Sequence, residues 1–580
     1  MRLPLNTPPA RAGLTWVAVA LLASACGDAQ VLRANGDNNN SSNNNTNVAN
    51  FSDHLVEDFD NQRLVDSVSG AAVLDVNQGV LTLPITPIPT VDGQGLQMLE
   101  GRVDHDGLVE AESVVVAESG VVEATNALEL RALDLVRVSG TIRAGTGGVT
   151  ITAGKAVYVD GVIESRGPVR ILVGSPEGKL QVSGRITVLA SKDDANSLPP
   201  DIELTGRGEV EILGQVSSHA EIGRTGGSVR VRVYGAVLVA GYDARVLATA
   251  ETRGTAGLIR IRSESTVTVE DGGGVGVALA NGTDTETLGG DVELQGTAIR
   301  LSGASVVAGS GAITGGSIFM VARDTLAVDN YARVKAGAGP EAGSLILKAA
   351  RIGVGTNSVI QGGRAGYASG LFRIEASERV DLGDSIVRAG DTACGAGGDV
   401  QIAVSGLVRT RDGTVVQGGA GSAAFWSAAC THSAAGGNIV VQAREGEGLE
   451  DGLLGGAGVP DGEVRLELNP ELTVPPPSLT VGTSGRVASK VIDRGLAAVG
   501  QVPLLVGSEA RLPEGTSAVI ELAGASNLAE PFEDWVAADD PAALVALANA
   551  QYLRYRVTLT GRVFDAPELD YFELDLSPED

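Results

Sequence analysis

One short pattern recurs along the middle of the chain: a glycine followed by residues that alternate between apolar and polar. Gly316 opens the segment SIFMVA, Gly343 opens SLILKA, and Gly370 opens LFRIEA. A period of two is typical of a β-strand that buries one face. In each such unit the second and fourth residues after the glycine are apolar. The units begin at Gly147, Gly167, Gly227, Gly257, Gly290, Gly316, Gly343, Gly370, Gly398 and Gly437.

The spacing of these glycines constrains the fold most strongly. Gly316, Gly343, Gly370 and Gly398 follow one another at intervals of 27, 27 and 28 residues. Two further strand-like segments keep the same period, so each repeat holds about three short strands and no helix pattern. Stacked repeats of this kind predict a parallel β-helix. At about 28 residues per coil, residues 101–468 would form roughly 13 coils and a rod about 60 Å long.

The glycines are expected at sharp corners of the coil, where a positive φ is cheap only for glycine. A set of β-sandwiches is the rival architecture, but antiparallel sandwiches have no reason to keep a constant phase of 27 residues. The predicted fold class is therefore all-β, with a single long parallel β-helix of about three strands per coil, followed by a small antiparallel β-sandwich.

In pattern, the repeat region resembles the right-handed parallel β-helix class of pectate lyases and bacterial surface adhesins. The resemblance covers about two thirds of the chain and includes no catalytic motif.

The start of the chain has the features of an export signal. Two arginines precede a short apolar run that ends in LASAC, with Cys26 as its last residue. This segment resembles the lipobox of bacterial lipoproteins, which implies that residues 1–25 are a signal peptide and that Cys26 carries lipid. Ala23 departs from the bulky aliphatic residue that the family prefers three places before the cysteine, and ordinary signal cleavage near Ala25 is the alternative. The asparagine-rich residues 26–50 predict a polar tether.

Two cysteines remain if Cys26 is lipidated. Cys394 lies four residues before Gly398, and Cys430 lies seven residues before Gly437. The two therefore occupy the same turn of neighbouring coils, and an exported protein would join them in a disulfide. The long segment 418–435 between these turns is interpreted either as a binding loop or as an excursion that covers apolar surface. Its candidate binding residues are Phe425, Trp426 and His432.

The repeat fades after Leu468, and residues 469–477 form a proline-rich linker. Residues 478–580 alternate again without the glycines, and they are similar to a jelly-roll-like module of exported bacterial proteins. Residues 51–100 resemble the short β segment that opens such proteins, so the two ends are expected to lie near each other or to cap the rod. Trp535 is the candidate sugar platform, with a buried core position as the alternative. Asp540 is predicted to cap a short helix.

Composition and motifs exclude several functions. The net charge of −28 argues against a nucleic-acid partner, which needs a clustered positive surface. The four histidines lack metal-ligand spacing, so neither a metal nor a cofactor is predicted. The acidic pairs fall in predicted loops rather than on one stacked face, which disfavours an enzyme.

The sequence therefore predicts a lipid-anchored protein at the outer membrane or cell surface of a Gram-negative bacterium. Its expected role is structural, adhesive or carbohydrate-binding, with membrane lipid, carbohydrate or matrix polymers and envelope proteins as partners. Binding of an acidic polymer would need divalent cations, because the protein itself is acidic. A polysaccharide lyase or hydrolase on a β-helix scaffold and a subunit of an envelope complex are the alternatives.

Overall fold

The structure is a computed structural model, and it describes most of the repeat region and much of the C-terminal region. The described residues are 31–32, 54–57, 65–70, 73–75, 80–82, 95–190, 201–220, 226–250, 256–279, 288–411, 413–421, 435–449, 452–477, 483–513, 516–528, 530–561 and 567–576. The chain divides into two compact units. One comprises Pro87–Val481, and the other combines Met1–Thr86 with Gly482–Asp580.

The unit Pro87–Val481 is a parallel β coil with three strands in each turn. Gly148–Ala153, Ala156–Val159 and Val162–Ser165 form one such coil. Val149 pairs with Val169 of the next coil in parallel register. All the paired strands among the described residues of this unit run parallel, which confirms the predicted all-β fold class with a long parallel β-helix.

One side of the coil is a parallel sheet of fourteen strands, to which each coil contributes one strand. The number of coils is therefore close to the expected thirteen. Its strands are Arg102–Asp104, Val121–Ala124, Thr141–Ala144, Val162–Ser165, Arg185–Ala190, Gln215–Ala220, Arg245–Ala250, Gly274–Leu279, Ser305–Val307, Arg333–Lys335, Ser358–Gln361, Ser385–Arg388, Val415–Gln417 and Leu453–Leu454.

The other strands of the coils lie on its two remaining sides. In several coils one long strand passes through both sides, and in others two shorter strands do so. The long or terminal strands are Leu96–Leu99, Gly107–Val116, Ala127–Val138, Val292–Ser302, Ile318–Asp329, Leu345–Val354, Phe372–Leu382, Val400–Thr410, Ile439–Glu447 and Val464–Leu468. The shorter strands are Gly148–Ala153, Ala156–Val159, Val169–Val173, Lys179–Val182, Ile202–Gly206, Glu209–Ile212, Val229–Val233, Val237–Ala240, Ile259–Ser263 and Thr266–Glu270. Gly339–Glu341 and Ala365–Ala368 form a small additional pair.

The length of a coil changes along the unit. Val149 pairs with Val169, a step of 20 residues, whereas Leu345 pairs with Phe372, a step of 27. The expected uniform length of about 28 residues therefore fits the later coils and not the first ones. The difference lies in the connections, since the strands themselves keep similar lengths.

The core of the coil consists of columns of stacked aliphatic side chains. Along the fourteen-stranded sheet one inward position is β-branched in twelve successive strands, and each of these residues is at most 1% exposed. Full burial of each such side chain contributes about 1.5–3 kcal/mol. The column comprises Val122, Ile142, Ile163, Ile186, Val216, Val246, Val275, Val306, Val334, Ile360, Val387 and Val416.

The recurring glycines are required for a different structural reason from the one expected. Gly316, Gly343 and Gly370 are not among the residues with positive φ. Instead, a Cβ on Gly343 would overlap with the carbonyl oxygen of Gly316, and a Cβ on Gly370 would overlap with that of Gly343. The prediction of positive φ is therefore wrong for these glycines, which are required because successive backbones touch at this corner.

Positive φ occurs at another turn, which precedes the strands of the fourteen-stranded sheet. Asp271, Asn330, Asn357 and Asp384 adopt φ values of 54°, 53°, 54° and 42°, and Gly303 occupies the equivalent place with 60°. Asparagine and aspartate tolerate the left-handed conformation better than other non-glycine residues. This turn is thus built mainly from aspartate, asparagine and glycine, with Tyr331 at 65° as an exception, and the recurring glycines take no part in it.

The proline-rich segment lies against the last coils. Arg444 donates from Nε to the carbonyl oxygen of Leu472 at 2.9 Å, and the backbone of Val474 exchanges hydrogen bonds with the Ser405 hydroxyl. The segment predicted as a stiff linker is therefore attached to the surface of the coil.

The second unit contains mainly antiparallel sheets built from both regions of the chain that it includes, although Val31–Leu32 pairs in parallel with Val491–Asp493. Val65–Gly70 pairs with Thr483–Ser489, and His54–Glu57 pairs with Glu568–Asp575. The other strands are Val31–Leu32, Val73–Asp75, Val80–Thr82, Val491–Asp493, Leu504–Arg511, Ser517–Ala525, Val536–Ala537 and Tyr552–Gly561. The segment expected to open the protein thus contributes strands to the sheets of the C-terminal region.

Two different sheets of this unit share one apolar core. Tyr555 and Phe572 meet edge to face there, with ring centres 4.9 Å apart. Asp540 accepts hydrogen bonds from the backbone of Ala542 and Ala543, which confirms the predicted N-cap of the helix Pro541–Leu544. Two short 3-10 helices, Leu496–Ala498 and Val545–Leu547, complete the unit.

Candidate functional site

Most of the residues singled out in the sequence lie outside the described residues. These are Cys26, Phe425, Trp426, Cys430 and His432. Cys394 is described and is 7% exposed, and its backbone N–H donates to the carbonyl oxygen of Gly366 at 2.8 Å. Lipidation of Cys26, the Cys394–Cys430 disulfide and the binding loop therefore stay predictions.

Trp535 is half-buried, and its ring contacts an arginine. The guanidinium carbon of Arg556 lies 4.4 Å from the ring centre. Arg556 also forms a two-pronged ion pair with Glu521, in which Nη2 donates to Oε1 at 2.6 Å. Hydrogen bonding from Arg556 lowers the pKa of Glu521. Trp535 is thus neither a core residue nor an open platform, because one face of its ring is occupied by a fixed cation.

A similar contact lies nearby on the same strand as Arg556. The guanidinium carbon of Arg554 lies 6.0 Å from the centre of the Phe532 ring. Arg554 also donates from Nε to the carbonyl oxygen of Ser489 at 2.8 Å. This sheet surface therefore fixes two arginine–aromatic contacts side by side.

A polar groove lies on the first strands of the fourteen-stranded sheet. It has a volume of about 830 Å³ and is lined by residues from Arg102 to Leu189. These residues come from five successive strands, so at a strand spacing of about 4.8 Å the groove extends for about 19 Å along the coil.

Charges of alternating sign line the groove and continue past it to Arg185, which is not one of its lining residues. Nη1 of Arg143 lies 3.3 Å from Oε1 of Glu123, and its Nε lies 3.4 Å from Oε2 of Glu164. Nη2 of Arg185 lies 3.1 Å from Oε1 of Glu164. Arg102 contacts Glu123 at the other end. We call this row the charge ladder, and it comprises Arg102, Glu123, Arg143, Glu164 and Arg185. Because each interior member has partners on both sides, neighbouring coils are linked on their solvent side.

One corner of the groove is held by Asp106. Its carboxylate accepts hydrogen bonds from the Thr125 hydroxyl and, at 2.9 Å, from the backbone N–H of Asn126. The hydrogen bond from the Thr125 hydroxyl is the main reason that the pKa of Asp106 is lowered. His105 lies beside it, with Nε2 3.3 Å from the carbonyl oxygen of Leu108. The aspartate thus fixes the turn to the neighbouring coil as an anion.

The groups that line the groove could hold a ligand through polar contacts. It offers guanidinium, carboxylate and hydroxyl groups that can exchange hydrogen bonds with a polar ligand. Within the described part of the chain, no three His, Cys, Asp or Glu side chains are grouped to hold a metal ion. None of the described residues belongs to a helix with the length and apolar character needed to cross a bilayer.

The charge ladder was not predicted from the sequence. Its signal was present, because Glu123, Arg143 and Glu164 follow one another at intervals of 20 and 21 residues. These intervals are shorter than the 27-residue period of the later coils, on which the predicted repeat was based.

The chain matches no family model, no curated protein and no solved structure in the comparisons made.

Proposed function

We propose that this protein is a lipid-anchored cell-surface protein that contacts carbohydrate polymers and has an adhesive or structural role in the envelope or the extracellular matrix. The observation that carries the proposal is the polar groove along five coils. An extended polymer fits a groove of this length, and sugar hydroxyls are suitable partners for its planar charged groups.

The rigidity of the coil supports an adhesive or structural role. Its inward columns are fully buried, and the charge ladder links coils at the surface. A binding surface whose groups are already fixed loses little conformational entropy when a ligand binds. The groove can therefore contact a polymer at several points without rearrangement.

Anchoring through Cys26 is the part of this proposal that places the protein at a membrane. Several acyl chains on one residue would hold it there stably, whereas one chain would not. In cells, the wild-type protein is expected in the membrane fraction and the Cys26→Ser variant in the soluble fraction. Equal distribution of the two variants would reject the lipid anchor.

Carbohydrate contact is tested with the purified protein on an array of immobilised polysaccharides. We expect binding to at least one polymer, and we expect Arg143→Gln to weaken it because Arg143 is at the centre of the groove. Arg409→Gln is the control, since Arg409 also pairs with a glutamate, Glu447, but lies far along the coil. If the protein binds none of the polymers, the carbohydrate-binding function is rejected.

A further inference from the structure

Two neighbouring strands of the coil carry two outward arginines each. The strands are Val229–Val233 and Ile259–Ser263, and the residues between the arginines are buried. In the parallel register each arginine of one strand lies directly beside an arginine of the other. We call this group the arginine patch, and it comprises Arg230, Arg232, Arg260 and Arg262.

The arrangement is electrostatically unfavourable in the protein alone. Like charges directly beside each other on neighbouring strands destabilise a sheet. The charge ladder shows the opposite arrangement, in which Glu123, Arg143 and Glu164 alternate in sign. A cluster of four arginines is also unexpected in a chain with a net charge of −28.

Acidic side chains neutralise the patch only in part. Arg230 lies 3.2 Å from Asp201. Arg260 and Arg262 share one carboxylate, that of Glu293, at 2.6 Å and 2.7 Å. These two carboxylates form ion pairs with three of the arginines, and a third, Glu203, lies in register beside Arg230. The four arginines of the patch therefore outnumber these three carboxylates.

Arg232 occupies the centre of the patch. It pairs in register with Thr205 on one side and with Arg262 on the other. Burial is the main reason that the pKa of Arg232 is lowered, and the charges of the neighbouring arginines lower it further. The charge of Glu203 acts in the opposite direction. A partly desolvated guanidinium binds an oxyanion more strongly than a fully hydrated one, and its planar fork matches a carboxylate.

An aromatic residue continues the same row of side chains. Arg260 pairs in register with Glu293, and Glu293 pairs with Phe319 of the following coil. Ile318 and Met320, on either side of Phe319, are fully buried, so Phe319 is directed outward. Two coil steps of about 4.8 Å place it about 10 Å from Arg260. An aromatic ring at this distance can pack against the apolar face of a sugar.

We propose that the arginine patch and Phe319 form a binding site for a polysaccharide that carries carboxylate groups. The carboxylates bind at Arg232 and its neighbours, and a sugar ring packs on Phe319. Since the site supplies its own positive charge, binding needs no divalent cation, in contrast to the expectation from net charge. The inference rests on the proposed carbohydrate-binding function and adds the class of polymer and a second site.

The experiment measures the affinity of the full chain, solubilised in detergent, for immobilised alginate in the presence of EDTA. Alginate is a polymer of uronic acids, and dextran provides a neutral polymer without carboxylates. We expect the wild-type protein to bind alginate and not dextran, and we expect the affinity to fall as salt is raised. Arg232→Gln should lower the affinity at least about tenfold, as is typical when a charged hydrogen bond is lost.

Two further variants separate recognition from folding. Glu203→Gln removes a carboxylate that competes for Arg232, so it should raise the affinity, and misfolding does not produce such a gain. Phe319→Ala should lower the affinity without changing its salt dependence. Arg300→Gln is the control for charge, because Arg300 is an exposed arginine on the same strand as Glu293 but on another side of the coil.

The possible outcomes decide between the proposals. Alginate binding that EDTA abolishes, or that Arg232→Gln leaves unchanged, would overturn the arginine site while the carbohydrate-binding function stands. Binding to poly-L-glutamate but not to alginate would assign the patch to a protein partner and overturn the inference. Failure to bind any polysaccharide would overturn both proposals.

Discussion

Arg494 donates a hydrogen bond from Nε to the carbonyl oxygen of Leu576 at 2.8 Å. The other nitrogens of this guanidinium donate to the carbonyl oxygens of four further residues. The arginine is 3% exposed, and its burial lowers its pKa to about 10, so it stays charged at neutral pH. One buried cation thus joins several segments of the second unit. The four residues are Leu547, Ala550, Ala498 and Gln501.

Substitution of Arg494 by methionine should destabilise the second unit strongly. It would remove a donor from five carbonyl oxygens. Those of Leu547 and Ala498 keep a backbone N–H donor, whereas the others would lose theirs, and each buried unsatisfied group costs about 1–3 kcal/mol. We expect the free energy of unfolding to fall by about 3 kcal/mol or more. Hydrogen exchange of peptides from residues 483–576 measures the change. Arg511→Met is the control, because the Arg511 side chain is 77% exposed, and an equal loss in both variants would contradict this role.

The contact between Gly343 and Gly316 predicts a strict requirement for glycine at the corner of the coil. In Gly343→Ala the new Cβ meets backbone, so neighbouring coils must move apart, at a cost of about 1–3 kcal/mol. Gly353→Ala is the matched control, since a Cβ there meets nothing within 4 Å. Calorimetry of the coil should show a lower melting temperature for the first variant only. A similar loss in both would indicate that the contact is unimportant.

The ion pair of Glu521 predicts a dependence of stability on pH. Because hydrogen bonding to Arg556 lowers the pKa of Glu521 below 4.5 in the folded state, the carboxylate stabilises the fold above that pH. The contribution is lost as the pH falls through the lowered pKa. Glu521→Gln should therefore cost about 1 kcal/mol at neutral pH and less in acid. Chemical denaturation at both pH values checks this, with the exposed Glu509→Gln as control, and a pH-independent difference would count against it.

The two cysteines of the later coils give a prediction that depends on the repeat alone. Cys394 lies four residues before Gly398 and Cys430 seven residues before Gly437, so the repeat predicts that both belong to the same turn of neighbouring coils. We expect one disulfide between them, which would contribute about 2–4 kcal/mol by restricting the unfolded chain. Mass spectrometry of peptides prepared without reductant should find the cross-linked pair. Two free thiols would refute the pairing.

The sequence was sufficient to predict the coil because its alternation and spacing reflect burial. Ile318 and Met320 are buried where the pattern places them, since a period of two leaves one face inward. The reason for the glycines was not predictable, because backbone contact between Gly316 and Gly343 depends on how closely the coils stack. The sequence showed that glycine was required without showing which constraint required it.

The candidate sites were predicted less well because they depend on neighbours that are distant in sequence. Trp535 was recognised by residue type, but its contact with Arg556 requires two strands to be placed side by side. The arginine patch also required the register of Val229–Val233 and Ile259–Ser263, which lie 30 residues apart. Only the stacked coils show that these charges adjoin.

The pairing of Val65–Gly70 with Thr483–Ser489 has a consequence for the order of assembly. During synthesis the earlier strand emerges more than 400 residues before its partner, so this unit stays incomplete until nearly all of the chain has been made. Each coil, in contrast, adds to the coil just before it and can form as soon as it emerges. The nascent chain would therefore hold a growing coil while its first β segment still lacks its partner strands, which leaves the hydrogen-bonding edges of that segment unpaired for the longest time.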